Sequence, residues 1–179
     1  MLAVISTNNE ELADKNYDIL SNKFYFNNEF DPFLVGNIVV NSGSCGLPEI
    51  YNQAVKTHSQ ENEFLFLHHD LIMETDSWYE KILEVKKLGC DIVGLAGTTN
   101  FDLRTGYWWM QQNKPAFTDC YGSVKHTDGK KDWISSYGNV PRNDIEVIDG
   151  LFMYVTRNVF NAGIWFDERF KFHHYDVSV

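Results

Sequence analysis

The stretch Phe64–Met73, FLFLHHDLIM, decides how the rest of the chain reads. An unbroken apolar run stops at two histidines and an aspartate, and apolar residues then resume. Side chains alternate between faces along a strand, so a continuous apolar run implies burial on both faces, as in a parallel sheet. The three metal-capable residues at its end either cap a strand at the surface or form the floor of a site. His68 and Asp70 are two apart, and on extended backbone such positions point the same way. An imidazole and a carboxylate so placed can grip one cation, and that pair suits Mn²⁺ better than Ca²⁺. An isolated His-x-Asp is more often a plain polar strand end, because so short a motif matches by chance.

Working outward, strand and helix alternate over the first hundred residues. Leu2–Ser6 reads as a short buried strand running into TNNEELADKNYDIL, whose polar residues can cap a helix. A second strand, Asn37–Val40, ends in a Gly/Ser/Asn turn. Pro48 suits the first turn of a helix through EIYNQAVKTH, where its missing N–H costs nothing. Asp76 can cap a helix over SWYEKILEVKKL, with Trp78, Ile82, Val85 and Leu88 on one side and Gly89 as its left-handed stop. CDIVGLAG gives a fourth strand. This alternation predicts an open α/β sheet, mainly parallel and flanked by helices.

From Thr98 to Asn143 the rhythm breaks. The segment is rich in Gly, Asn, Asp and aromatics and shows no helical period, the pattern of a lid or binding loop. IEVIDGLFMYVT returns to strand character, and Thr156 can cap a short helix, RNVFNA, that stops at Gly163. Open α/β sheets bind ligands beyond the carboxyl ends of their strands. Asn41-Ser42-Gly43, His68-His69-Asp70 and Gly97-Thr98-Thr99-Asn100 all follow predicted strands, so parallel pairing would line them along one crevice.

The 179 residues read as one domain, 1–179, and 44% hydrophobic and 15% aromatic content supports a sizeable core. A net charge of −10 disfavours a nucleic-acid groove. It leaves room for a nucleotide whose phosphates meet a divalent cation. Cys45, Cys90 and Cys120 form neither a disulfide framework nor a zinc knuckle, which fits a reducing compartment. MLAVISTNNEEL has no basic n-region and only a short apolar run, so neither a signal peptide nor a transmembrane segment is expected there. The expected location is cytoplasmic, with a peripheral contact at the inner membrane face left open.

Three segments in order, SGSCGLPEIYNQAV, EFLFLHHDLIMETDSWYEKI and VIDGLFMYVTRNVFNAGIWFDERFKFHHYDVSV, resemble a family-2-like glycosyltransferase with the GT-A fold. YNQA followed by the FLHHD strand is similar to a bacterial subgroup of sugar transferases in which Asp-x-Asp relaxes to His-x-Asp. The resemblance covers the chain from about Leu34 onward and, weakly, Leu2 to Asn8. It implies transfer of a sugar from a nucleotide-diphosphate donor, by family habit a UDP-sugar, to a glycan or lipid-linked glycan acceptor in envelope or exported polysaccharide. It also implies a divalent metal, Mn²⁺ or Mg²⁺.

By position, the resemblance gives Asp70 and His68 to the metal, and His69 and Asp70 to the diphosphate. Thr7 and Asn8 fall where base and ribose sit. Asn41 and Ser42 occupy a turn that in many relatives carries an aspartate contacting the base. Tyr51 and Asn52 match a Tyr-Asn pair, structural or on the nucleotide side. Asp149 and Gly150 match the acceptor-side turn, with Asp149 a further catalytic candidate. Asp176 matches the acid that deprotonates the acceptor hydroxyl in inverting members. Trp108 and Trp109 can stack on an acceptor sugar or pack as core.

Two departures stand out. Tyr175 precedes Asp176 and Ser178 replaces a common second acid, so Asp176 is the lone base candidate in that segment. Relatives continue beyond this motif with a helix and often a further histidine for the metal. The sequence stops at Val179, which predicts a shortened form or a site completed by something else, with His173 or His174 substituting as ligand. Two rival readings remain at this level. One is a non-catalytic nucleotide-sugar or glycan-binding domain of degenerate GT-A type; the other is a metal-dependent phosphohydrolase built on His68-His69-Asp70.

Overall fold

The computed structural model describes residues 1–7, 35–40 (backbone alone), 45–71, 77–138 and 140–172. The expected helix after the first strand and the capping residue Asp76 lie outside them. The first sheet has strand order β2-β1-β3-β9-β4. Its strands are β1 (Leu2–Thr7), β2 (Val35–Val40), β3 (Glu63–His68), β4 (Ile92–Gly94) and β9 (Phe152–Thr156). β1 pairs parallel with both β2 and β3.

The expectation of a mainly parallel sheet needs correction. β9 runs antiparallel between β3 and β4, so the sheet is mixed, and β4 regains the direction of β3 two places away. Its sequence hides this. Phe152–Thr156 is buried on both sides, as a parallel strand would be, so the apolar pattern reports burial and not direction.

The alternating faces of β3 organise two cores. Phe64 and Phe66 pack with Ile50, Tyr51, Val55, Phe160 and Phe166. Leu65 and Leu67 pack on the other face with Trp78, Ile82 and Tyr154. The first layer is helix α1 (Leu47–Thr57), with Pro48 in its first turn as expected, and the short α3 (Arg157–Asn161). Arg157 sits at the carboxyl end of α1, donating to the carbonyls of Val55 and His58, and its guanidinium lies 4.7 Å from the Phe64 ring centroid. A cation there satisfies carbonyls that no helical N–H can reach and opposes the negative helix end. The second layer is α2 (Trp78–Lys86), which buries Trp78 and Ile82. Leu88, expected on the same face, is instead 48% exposed, and Gly89 takes φ +85° at the stop.

The predicted fourth strand is two strands in two sheets. After β4 the chain passes through Leu95 into β5 (Ala96–Thr98), which joins β6 (Cys120–Thr127), β7 (Asp132–Ser136) and β8 (Val147–Ile148) in the order β7-β6-β5-β8. Glycines permit this crossing. A Cβ on Gly97 would stand 2.3 Å from the Val147 carbonyl oxygen, and one on Gly122 would stand 2.1 Å from that of Leu95. The β6–β7 hairpin went unpredicted, although the Asp128-Gly129 pair at its turn is a hairpin signal.

At the amino end of β3, Glu63 accepts hydrogen bonds from Lys86 Nζ (2.7 Å), Tyr154 Oη (2.6 Å) and Tyr79 Oη (3.0 Å), fastening α2 to the sheet. Burial pushes the Glu63 carboxyl up, but the bonds from Lys86, Tyr154 and Tyr79 together outweigh it and hold the group below its ordinary value. Burial, followed by the Glu63 carboxylate, pushes the Tyr154 hydroxyl up. A depressed folded-state pKa contributes stability above the unfolded value that is lost as pH falls through the folded one. Glu63→Gln is therefore expected to lose about 1–2 kcal/mol near neutral pH. Urea titrations repeated at descending pH should show parent and variant converging below about pH 4. A gap that persists in acid would mean that the network does not use the charge.

Candidate active site

The parallel register brings strand ends together. Thr7 pairs with Val40, and Ser6 pairs with His68, so the carboxyl ends of β2, β1 and β3 lie side by side. Thr7 is 2% exposed at that edge. Asn8, Asn41 and Ser42 follow these strands and lie outside the described residues, as do His173, His174 and Asp176. Gly97 and Thr98 are not a turn beyond a parallel strand but part of β5, where the Thr98 hydroxyl donates to the Asp119 carbonyl at 3.1 Å.

β3 ends in a tight turn, with Leu71 N donating to His68 O at 3.3 Å. His68 Nδ1 and Asp70 Oδ1 stand 3.9 Å apart, with the side chains 38% and 69% exposed. That separation is under twice the roughly 2.1 Å bond length of a small hard cation, so both groups can reach one ion. Among the described residues no cluster of three or more His, Cys, Asp or Glu is placed to hold a metal. The pair thus fits part of a coordination sphere, of the kind that Mg²⁺-like ions complete with water and phosphate oxygens.

The reversed strand β9 delivers the second acid to this edge. His68 N donates to Leu151 O at 3.1 Å, which ties the end of β3 to the turn Asp149-Gly150-Leu151. Asp149 Oδ1 accepts from Leu151 N at 2.8 Å and Oδ2 from Trp108 Nε1 at 2.9 Å, while Asp149 N donates to Ala96 O at 2.8 Å. One carboxylate therefore joins β5, the entry to β9 and the aromatic segment. Trp108 is 6% exposed and packs with Ala96, Cys120 and Val147; Trp109 is half-buried beside it. Tyr107, 46% exposed, lies 5.0 Å from the Trp109 ring, centroid to centroid.

The segment 101–119, expected as irregular, is heavily pinned. Asp102 accepts from Arg104 and from Gln112 N, which hold its carboxyl well below the usual range. Gln111, 9% exposed, donates to the carbonyls of Asn100 (2.8 Å) and Thr118 (3.2 Å). Sequence reasoning missed the bond between Trp108 and Asp149. The two are far apart in the chain, and no local pattern marks them.

Tyr51 and Asn52 face the core. Tyr51 is fully buried against Phe66 and Phe166. Asn52 Nδ2 donates to Phe166 O and to Glu168 Oε1, both at 2.9 Å, and its Oδ1 accepts from Phe166 N. Leu47 N then donates to Lys171 O at 2.7 Å, and a Cβ on Gly46 would stand 2.9 Å from Lys171 Cα. The segment 166–171 is thus strapped along α1 as far as its amino end.

These features define a mixed α/β protein in which the carboxyl ends of its parallel strands share one edge with an acid that follows a strand of the second sheet. The chain belongs to the Glycosyltransferase like family, which matches residues 36–179, and it is a family-2-like glycosyltransferase. Membership supports a role in glycosyl transfer, with a sugar donor and an acceptor. None of the curated proteins matches the chain. Among the described residues no helix is long and apolar enough to cross a membrane.

Replacing Trp108 by Phe keeps most of the packed ring but leaves Asp149 Oδ2 without its indole donor. A loss of about 1–2 kcal/mol is expected in chemical denaturation. Backbone amide exchange at Leu151 should accelerate in the same variant. Unchanged exchange would show that Asp149 does not depend on the indole for its position.

Proposed function

We propose that the chain is a GT-A-type transferase that moves a sugar from a nucleoside diphosphate, a UDP-sugar by resemblance, to a hydroxyl of a glycan or lipid-linked glycan. The observation that carries this reading is the convergence of Thr7, His68-Asp70 and the Asp149 turn on one sheet edge, in a chain of this family. In this reading Thr7, with Asn8, Asn41 and Ser42, lines the nucleoside side. His69 and Asp70 face the diphosphate. Tyr51 and Asn52 act through the core, since both are buried in it.

His68 and Asp70 would hold a divalent cation, Mn²⁺ or Mg²⁺, with His174 as a further candidate ligand. When bound, it would act as a Lewis acid toward the diphosphate charge. The acceptor hydroxyl loses its proton to a carboxylate as its oxygen bonds to the anomeric carbon. The bond from that carbon to the diphosphate oxygen breaks, and the electron pair leaves with the diphosphate. Asp176 is the proposed base. It lies five residues beyond Lys171, a span of at most about 18 Å of extended chain from the amino end of α1. Asp149, with both oxygens already accepting hydrogen bonds, is assigned to shaping the acceptor turn with Gly150 rather than to taking the proton. Trp109, with Tyr107 beside it, offers an aromatic face to an acceptor sugar.

Calorimetric titration with UDP and GDP, with and without Mn²⁺, tests the donor side. Binding that needs the metal and falls at least tenfold in Asp70→Asn is expected. Retained, metal-independent binding in the variant would remove Asp70 from the site. On the acceptor side, Asp176→Asn is expected to cut turnover by about 10²-fold or more while donor binding stays intact. Full transfer activity in that variant would exclude Asp176 as the base. Binding without turnover across a broad acceptor panel would instead favour a non-catalytic domain.

A further inference from the structure

The β6–β7 hairpin does something that the proposed transfer site does not require. Val124 is the last residue of β6 that packs against the body, where it meets the cluster of Ala96, Trp108, Cys120 and Val147. Beyond it, every residue from Thr127 to Ile134 is exposed. Two of these are large and apolar: Trp133 is 45% exposed and Ile134 is 66% exposed. They lie on opposite faces of β7. Trp133 is stacked on its cross-strand partner His126 at 5.2 Å, and Ile134 is opposite Lys125.

The turn is closed from within. Asp128 Oδ1 accepts from the backbone N–H groups of Lys130 (2.9 Å) and Lys131 (2.8 Å), and Thr127 Oγ1 accepts from Gly129 N at 3.1 Å. The backbone N–H groups of the turn are therefore already satisfied when the tip meets another surface. Lys125 is paired with Asp132 at 3.3 Å, which leaves Lys130 and Lys131 as the basic groups at the very end. Residues 125–134 contain three lysines against two aspartates, a net +1, in a chain of net −10.

We infer that this hairpin is a membrane-docking arm, which meets an anionic lipid surface tip-first through Lys130 and Lys131, with Trp133 and Ile134 entering the headgroup region. The sign of charge argues for this surface. An acidic body is repelled by anionic lipid, so contact must be made by a part that is both positive and set apart. Three residues of strand carry the tip about 10 Å beyond Val124, roughly one Debye length in physiological salt. Trp beside Lys is also the composition that settles at a bilayer interface, where the ring is half-wetted and the ammonium meets phosphates. The inference does not rest on which sugar or nucleotide the site takes.

Vesicle co-sedimentation of the full chain tests it, with phosphatidylglycerol/phosphatidylcholine vesicles against pure phosphatidylcholine, at low and high salt. Binding is expected only to the anionic vesicles and should weaken as salt rises. Lys130→Ala with Lys131→Ala should weaken it by about fivefold per lysine. Trp133→Ser with Ile134→Ser should weaken it at least tenfold, with circular dichroism unchanged because both residues are exposed. No binding to anionic vesicles, equal binding to neutral ones, or variants that bind like the parent would each overturn the proposal. So would a vesicle-free dimer abolished by Trp133→Ser with Ile134→Ser, which would make the hairpin an interface between copies.

Discussion

The hydrogen bond from His68 N to Leu151 O is the constraint on which the site depends. It lies where a parallel strand ends and an antiparallel strand is about to begin. Because β9 runs backward, its entry turn falls at the same edge as the exits of β1 and β3. A parallel strand in that position would have put the Asp149 turn at the opposite edge, beside Glu63. The reversal therefore turns two acidic segments, more than seventy residues apart in sequence, into neighbours. It also explains why Gly150 is buried: the turn is pressed between the end of β3 and the second sheet.

That second sheet gives the turn its rigidity. Asp149 is held from three directions, by the Ala96 carbonyl, by Leu151 N and by the Trp108 indole. The contact with β5 requires backbones to approach closer than any Cβ permits, hence the glycines at 97 and 122. The same logic holds at Gly46, where the strap from Phe166 to Lys171 crosses the first turn of α1. Gly46, Gly97 and Gly122 mark where one layer is pressed onto another, whereas Gly89 and Gly163 take φ +85° where helices stop.

What the sequence disclosed followed from local periodicity. β1, the Asn37–Val40 strand, α1 with Pro48 in its first turn, the two-faced burial of β3 and the start of α3 after Thr156 were all readable, because each depends on side chains within a few residues. Strand direction was not readable. A buried strand looks alike running either way, so β9 passed as parallel. Nor did CDIVGLAG reveal that its halves belong to different sheets, since that depends on Ile148 meeting Gly94 from far along the chain. The hairpin was missed because the alternation in YGSVKHT and DWISS lacks a buried face, which is the feature that makes alternation visible. Of the site, the residue types of the His68–Asp70 and Asp149 segments were legible. Their adjacency could be reached only by resemblance, and the indole that fixes Asp149 not at all.

Charge supplies the remaining step. A site for a diphosphate must meet it with N–H groups, arginines, lysines or a cation. The chain has four arginines, and every one is committed elsewhere. Arg104 is paired with Asp102, Arg142 with Asp144 and Arg169 with Asp167, while Arg157 is spent on the carbonyls at the end of α1. Releasing any of the first three would free an aspartate along with the guanidinium and bring no net positive charge to the edge. Releasing Arg157 would strip the end of α1 of its donors. A donor with two charged phosphates would then approach a net −10 protein whose strand edge offers Asp70 and Asp149. Under that field a cation at His68 and Asp70, as proposed, would offset the charge of the donor as well as aid the leaving group.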